Sequence, residues 1–371
     1  MKYGVPQASF ALAYHRFRKS CAENLGLDTG FLSEVQPDFA ANLEDSPRQK
    51  PATENRLHDP DFMSSVVSGI DMPEVYWHPS TENRFGAEKS RGKYVYIQVA
   101  RSLSGQMAAW QISCVRAVRD WYPSHPHQEH TQHGHSYLYV PCYEVIAPAP
   151  GISRAQARDI TAVALRIASR LNLVGILTLG MSLSESATPG SGSAQVELGV
   201  DFATYHAHLA GIWTEHASVT GQAEQYVRAV YDVPLGSPRQ CTPYAVATFF
   251  TLPDAKAAID TQSVTDTQSV TSFPERLYRH VLAFDSEVKV TVFPISEADT
   301  PPAPDSNGQK RSVVGSSPSG AMSFSGWVST SGDEMALTVA RARHAAGYLA
   351  GVDPRPHPSM REDAALLGSL Y

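Results

Sequence analysis

The chain has 371 residues, 42% of them apolar and 18% charged, with a formal net charge of −7. That length supports two or three domains and a large core. The acidic balance leaves no basic field for nucleic acid or an anionic membrane surface, and no run of 18 apolar residues marks a membrane-spanning helix. The first 20 residues lack the charged, apolar and small-residue order of a secretory leader. Cys21, Cys114, Cys142 and Cys241 lie far apart without a C-x-x-C, which predicts reduced thiols in a cytoplasmic protein. Cys142, beside Pro141, reads as structural.

In chain order, residues 1–15 read as a short ordered start. Residues 28–91, rich in Pro, Asp, Glu, Asn and Ser, read as an irregular, loop-rich insertion. KYVYIQV at 93–99 is β-branched and aromatic, a strand, and 137–147 suggests a further strand pair. Ser153 and Gln156 fit a capping box, in which hydroxyl and amide satisfy orphan backbone donors. Behind them Ile160, Val163, Ala164, Ile167 and Leu171 recur at helical spacing, followed by a buried strand, LVGILTL, at 173–179. Further helices are predicted over about 215–230 and 333–350, the latter with Met335, Val339 and Leu349 on an alanine-lined face. DTQSVT occurs in tandem at 260–265 and 266–271, and 295–320 is a Pro/Ser/Gly-rich loop.

Few constellations suggest chemistry. HPHQEHTQHGH at 125–135 holds His125, His127, His130, His133 and His135. Short histidine tracts bind zinc, nickel or copper. No carboxylate or cysteine cluster completes a metal spacing, so an exposed polar loop is the favoured reading. His206 and His208 alternate beside Tyr205 on a predicted strand and are candidates to face one cleft. Trp213 is expected in the core. Glu185 and Glu197 are expected to face solvent. No G-x-S-x-G, H-E-x-x-H or Walker pattern occurs.

Two stretches carry a resemblance. YEVIAPAPGISRAQARDITAVALRIASRLNLVGILTLGM from Tyr143, and HLAGIWTEHASVTGQAEQYVRAVYDVPLG ending at Gly236, are similar to the back half of one ATP-grasp domain. It is that of the carboxyaminoimidazole ribonucleotide synthetases (PurK) of purine biosynthesis. GVPQASFA at 4–11 resembles the opening of the same domain. The resemblance implies an α+β fold: an ATP-grasp-like core with a small C-terminal β-rich subdomain, lacking the N-terminal nucleotide-fold domain. The implied boundaries are 1–27 for the start of the ATP-grasp-like region and 28–91 for the insertion. The core follows at 92–255, then a linker at 256–275 and a C-terminal subdomain at 276–371 with the loop at 295–320.

The resemblance also implies a site and shows what has changed in it. GKYVYIQVARSLSGQMAAW at 92–110 aligns with the family's strand, phosphate-binding lysine and glycine-rich loop. Gln98 stands at the lysine position, and Ser102, Leu103, Gln106 and Ala108 at glycine positions. Gln98, Arg101 and Gly105 are the implied nucleotide-binding residues. Two carboxylates that hold Mg²⁺ against the phosphates would stand at Gly180 and Phe202. Asp201 takes an asparagine's place and is, with Glu197, the candidate metal ligand. His206 takes an arginine's place. His208, Gly211, Trp213 and Thr214 match, while Ile212 replaces a second histidine. His206 and His208 are the implied catalytic residues, and Gly211, Trp213, Thr214 and Lys289 the implied substrate contacts. Gly326, Trp327 and Val328 correspond to the glycine, histidine and valine that follow a basic run near the family's C-terminus.

Helical faces, turns and buried strands match; lysine, glycines, carboxylates and arginine do not. Phosphoryl transfer rests on positioning and electrostatics, so this pattern implies a degenerate relative of an Mg- and ATP-dependent carbon–nitrogen ligase, with activity weak or lost. The alternative is a non-catalytic interaction protein, a pseudoenzyme that forms a homodimer or partners an intact paralogue. A decayed reading frame is a third reading.

Overall fold

A computed structural model describes residues 7–27, 29, 57, 59–68, 70, 75–77, 93–118, 142–186, 195–205, 207–250, 279, 281–283, 285–292 and 326–350. Helix α1 runs Gln7–Asn24 and α2 Pro60–Ser68. Strands β1 to β5 are Val75–Trp77, Lys93–Arg101, Met107–Ala109, Cys114–Val118 and Cys142–Ala147. Helix α3, Arg154–Arg170, leads to β6, Gly175–Ser186, and β7, Gln195–Thr204. A single 3₁₀ turn at Leu209–Gly211 precedes α4, Thr214–Ala217, and α5, Gln222–Val230. Strands β8, Tyr244–Phe250, β9, Lys289–Val292, and β10, Gly326–Gly332, are followed by α6, Met335–Leu349.

The strands form two five-stranded sheets, ordered β1-β7-β6-β2-β3 and β4-β5-β8-β10-β9. The described pairings are antiparallel except β1 with β7. Mixed helix and largely antiparallel sheet makes this an α+β chain. A bridge between Tyr96 and Ser113 ties one sheet to the other.

Period-two alternation decides which side chains go where. Val95, Ile97 and Val99 of β2, with Leu177 and Leu179 of β6, point to Ile160, Val163 and Ile167 of α3. The opposite face of that sheet, with Ala100 and Ile176, looks toward the second sheet. There it meets Tyr143, Val145, Ala247, Phe249, Trp110, Trp213 and Trp327. On the far side of the second sheet, Ile146, Val246, Phe250 and Val328 pack against Val339, Ala342, Ala345 and Leu349 of α6.

The capping box is formed: Gln156 N–H donates to Ser153 Oγ at 3.2 Å and Ser153 N–H to Gln156 Oε1 at 2.9 Å. Ser153→Ala should therefore lower stability by about 1 kcal/mol, read as a shift in urea midpoint at constant slope.

Several expectations need correction. The ordered start is a helix that continues to Asn24, and the 28–91 segment contains α2 and β1. The strand expected at 173–179 begins at Gly175, because Asn172 (φ 49°) and Gly175 (φ 120°) make the turn out of α3, and it runs on to Ser186. The helix expected over 215–230 is broken in two. Ser218 is extended, and Val219 and Thr220 donate N–H to Arg239 and Ser237 rather than continuing the helix. The segment 276–371 is expected to form a subdomain of its own. Its β10 pairs with β8 along seven residues, so the described part is continuous with the second sheet. The histidine tract at 125–135, the DTQSVT repeats and the 295–320 loop lie outside the described residues.

Candidate functional site

The β2–β3 hairpin occupies the place of the expected nucleotide loop, and its polar groups are committed internally. Arg101 donates to Leu173 O at 2.9 Å and to Asn172 Oδ1 at 2.7 Å, clamping β2 to the α3–β6 turn. Gly105 has φ 90°, a conformation that favours glycine, and its N–H closes the turn on Ser102 O. Leu103 N–H donates to Ala229 O, Ser104 N–H to Asp232 Oδ1 at 2.8 Å, and Leu235 N–H to Gln106 Oε1 at 2.8 Å. The hairpin is thus pinned to the end of α5. Of the expected nucleotide-binding trio, Gln98 lies buried on the sheet face, while Arg101 and Gly105 serve the turn.

The inner face of the first sheet carries the polar interior. Alternation along β2 places Tyr96 and Gln98 there, both buried, with Thr178 and Gly180 opposite them on β6. Gly180 pairs with Phe202 and Met181 with Val200, so Asp201 is the extra residue of a β-bulge. Asp201 is 2% exposed and lies within electrostatic reach of the Tyr96 hydroxyl. Gly180 has no room for a side chain: a Cβ there would collide with the Tyr94 hydroxyl and lie 3.2 Å from Phe202 Cβ. Glu197 is half-buried, with Ser184 Oγ donating to it at 3.4 Å. The side chain of Glu185 is outside the described residues.

His208 is not on a strand. β7 ends at Thr204, and His208 caps the 3₁₀ turn, its Nδ1 accepting Ala210 N–H at 3.2 Å. The ring stacks on Tyr96 with centroids 5.3 Å apart and meets Phe202 at 5.4 Å. Burial lowers its pKa to about 3, so it is a neutral imidazole whose proton sits on Nε2. His206 falls outside the described residues.

Thr214 Oγ1 donates to Gly211 O at 2.7 Å and accepts Gln222 N–H at 3.0 Å. Gln222 Nε2 donates to His208 O at 3.3 Å. Gly211 must be glycine for a packing reason: a Cβ would stand 2.6 Å from Gln222 Oε1 and 3.0 Å from Gln98 Cδ. Trp213 is buried in the core between the sheets. Lys289 is exposed on the edge strand β9 of the other sheet, where, after burial, its charge helps lower His216 to about 4.

The structure therefore gathers Gln98, Asp201, His208, Gly211 and Thr214 around Tyr96 and Gln222, and leaves Arg101, Gly105 and Lys289 elsewhere. Tyr94, Tyr96, Thr178 and Gln222 were not anticipated. For Tyr94, Tyr96 and Thr178 the signal is a polar or aromatic residue at every second position of otherwise apolar strands, as in YVYIQVA and ILTLG; Gln222 opens helix α5 and carries no such signal. Among the described residues no group of three or more His, Cys, Asp or Glu could hold a metal ion. One carboxylate, no cation at Gln98 and no space at Gly180 do not fit Mg·ATP.

The chain matches no protein-family model. An N5-carboxyaminoimidazole ribonucleotide synthase of Corynebacterium ammoniagenes is 29% identical over 150 residues, 40% of this chain and 30% of that protein. The protein of that name from Mycobacterium bovis is 32% identical over 148 residues, 40% of this chain and 28% of its own. The alignments thus span about 30% of the length of these curated relatives. The solved N5-carboxyaminoimidazole ribonucleotide synthetase from Thermus thermophilus covers 73% of this chain and 52% of its own, at 17% identity and a TM-score of 0.41. Across about 40% of its length, the chain is related to the N5-carboxyaminoimidazole ribonucleotide synthases.

Proposed function

We propose that this chain is a degenerate ATP-grasp-like relative of those synthases, in which carbon–nitrogen ligase activity is weak or lost. The observation that carries the reading is Gly180, at the position the resemblance assigns to the first metal carboxylate. The Tyr94 hydroxyl fills the space a side chain would need, so the position is closed as well as uncharged. Phe202 at the second carboxylate position and the neutral Gln98 at the lysine position act in the same direction. The hairpin that would close over phosphates is held to α5 by its own backbone.

Removing one partner of a buried charged contact costs about 2–5 kcal/mol, roughly thirty-fold to several-thousand-fold in affinity. With several partners gone, calorimetric titration with Mg·ATP is expected to show no saturable heat below about 1 mM. Micromolar binding, or carboxylation of an aminoimidazole ribonucleotide coupled to ADP release, would overturn the proposal.

A further inference from the structure

Helix α1 belongs to neither sheet and is seated on α4 and α5. Tyr14, Phe17, Arg18 and Cys21 share one side of it, because residues three, four and seven apart line up along a helix. Tyr14, Phe17 and Cys21 join the apolar cluster that holds Ala217 of α4 and Ala223 of α5, and Ala22 packs on Val227. The Phe17 ring meets His216 of α4 at 6.4 Å and Trp327 of β10 at 6.1 Å. The Arg18 guanidinium lies 4.8 Å from the centre of the Tyr226 ring of α5. The carboxyl of Glu215 sits at the junction of α4 and α5, where α1 rests. Its Oε1 accepts Ala223 N–H at 2.9 Å, and its Oε2 stands 2.7 Å from where a Cβ of Gly221 would be. Tyr14 and Cys21 of α1 both lie within reach of its charge.

The charged and titratable groups around Glu215 are Tyr14, Arg18 and Cys21 of α1, Glu224 and Arg228 of α5, and His216 of α4 with Lys289 of β9 beyond it. Arg228 is committed to Glu224 at 2.7 Å, and Arg18 lies over the rings of Tyr14 and Tyr226. No described ion pair includes Glu215. Burial holds Cys21 at about 12 and Tyr14 well above the ordinary phenol, and burial with Lys289 holds His216 at about 4. None of these three therefore changes charge between pH 6 and pH 8. An ionised carboxylate at this junction is costly while α1 covers it and is hydrated once α1 lifts. We propose that α1 is a pH-gated cover, docked while Glu215 is protonated and released from α4 and α5 when Glu215 ionises. Release uncovers the apolar surface around Ala217, Ala223 and Trp327. The direction follows from linkage. Burial, with Glu224 acting the same way, places the covered carboxyl at about 7 against an ordinary 4.5 in water. Docking is thus fully favoured below 4.5 and loses that support as pH rises through about 7. The inference rests on the packing of α1 and stands whether or not ligase activity remains.

The test is hydrogen exchange of the full chain, read by mass spectrometry on peptides of α1 at pH 6 and pH 8 and corrected for the intrinsic rate. The opening equilibrium of α1 should rise about ten-fold between the two, as linkage requires of a carboxyl at 4.5 uncovered and about 7 covered. Peptides of α3, on the other face of the first sheet, should keep their protection. In Glu215→Gln, which keeps the acceptor and removes the titration, the rise in α1 should vanish. A wild-type rise under about two-fold, an equal rise in α1 and α3, or an undiminished rise in Glu215→Gln overturns the inference. So does stronger protection of α1 at pH 8, which would mean that Arg18 turns to the ionised carboxylate and tightens the helix.

Discussion

Replacing Arg343 with methionine is expected to lower the unfolding free energy by about 3–5 kcal/mol, the usual result of stripping the partner from a buried charge. Glu144 lies in the middle of β5 with its side chain wholly buried. Arg343 of α6 meets it with two parallel hydrogen bonds, Nε to Oε2 at 2.8 Å and Nη2 to Oε1 at 2.7 Å. This fork-to-fork contact fixes α6 to the sheet alongside the apolar packing of Val339 and Ala342 on Ile146 and Val246. Without the guanidinium, the buried carboxylate stays in the protein and loses both of these charge-assisted hydrogen bonds, with Arg116 across the β4–β5 ladder as the remaining neighbouring cation. The double variant Glu144→Gln with Arg343→Met should recover most of the loss, because both charges go together. Chemical denaturation of the wild type, both single variants and the double closes the cycle. A loss under about 1 kcal/mol for Arg343→Met would mean that water reaches Glu144 and that α6 is held by apolar contact alone.

The second large effect is a pH dependence centred on Glu215. It sits on α4, with Oε1 accepting Ala223 N–H at 2.9 Å from the first turn of α5. Burial raises its carboxyl from the ordinary 4.5 to about 7, and Glu224 acts in the same direction. The folded state therefore holds a proton that the unfolded chain has released between pH 4.5 and 7. The stability that Glu215 contributes is full below 4.5 and is lost as pH rises through about 7. Its upper bound is roughly 3 kcal/mol, discounted because the residue as a whole is partly exposed. His208 and His216 run the opposite way. Burial holds them at about 3 and about 4, so their contribution is present above pH 6.5 and lost as pH falls toward those values. In the wild type the opposing contributions partly offset each other between pH 4.5 and 6.5. Glu215→Gln keeps the acceptor and removes the titration. The variant should be more stable than the wild type above pH 7, by up to roughly 3 kcal/mol, and should fall off more steeply below pH 6.5. A series of urea midpoints from pH 4.5 to 8.5 measures this; parallel curves would mean that Glu215 is solvated.

The parts of this chain legible in one dimension are those built from contacts within a few residues. Ser153 and Gln156 announce the start of α3, and the apolar positions from Ile160 to Ile167 declare its buried face, because a helix and its cap are closed by neighbours three and four apart. β2 was legible as a strand for a similar reason. The break between α4 and α5 was not. The residues that end the first helix, Val219 and Thr220, do so by bonding to Arg239 and Ser237, a contact that no local pattern encodes.

The same division runs through the candidate site. By itself the sequence determined that lysine, arginine and paired carboxylates are absent where the resemblance asks for them, since that is a matter of residue identity. Only the tertiary structure decided what replaced them. A bulge in β7 brings Asp201 onto the inner face, the register of β2 against β6 puts Tyr96 opposite Gly180, and the 3₁₀ turn delivers Gly211 between Gln98 and Gln222. These placements come from pairing across strands far apart in the chain, where a shift of one residue would exchange the two faces of the sheet.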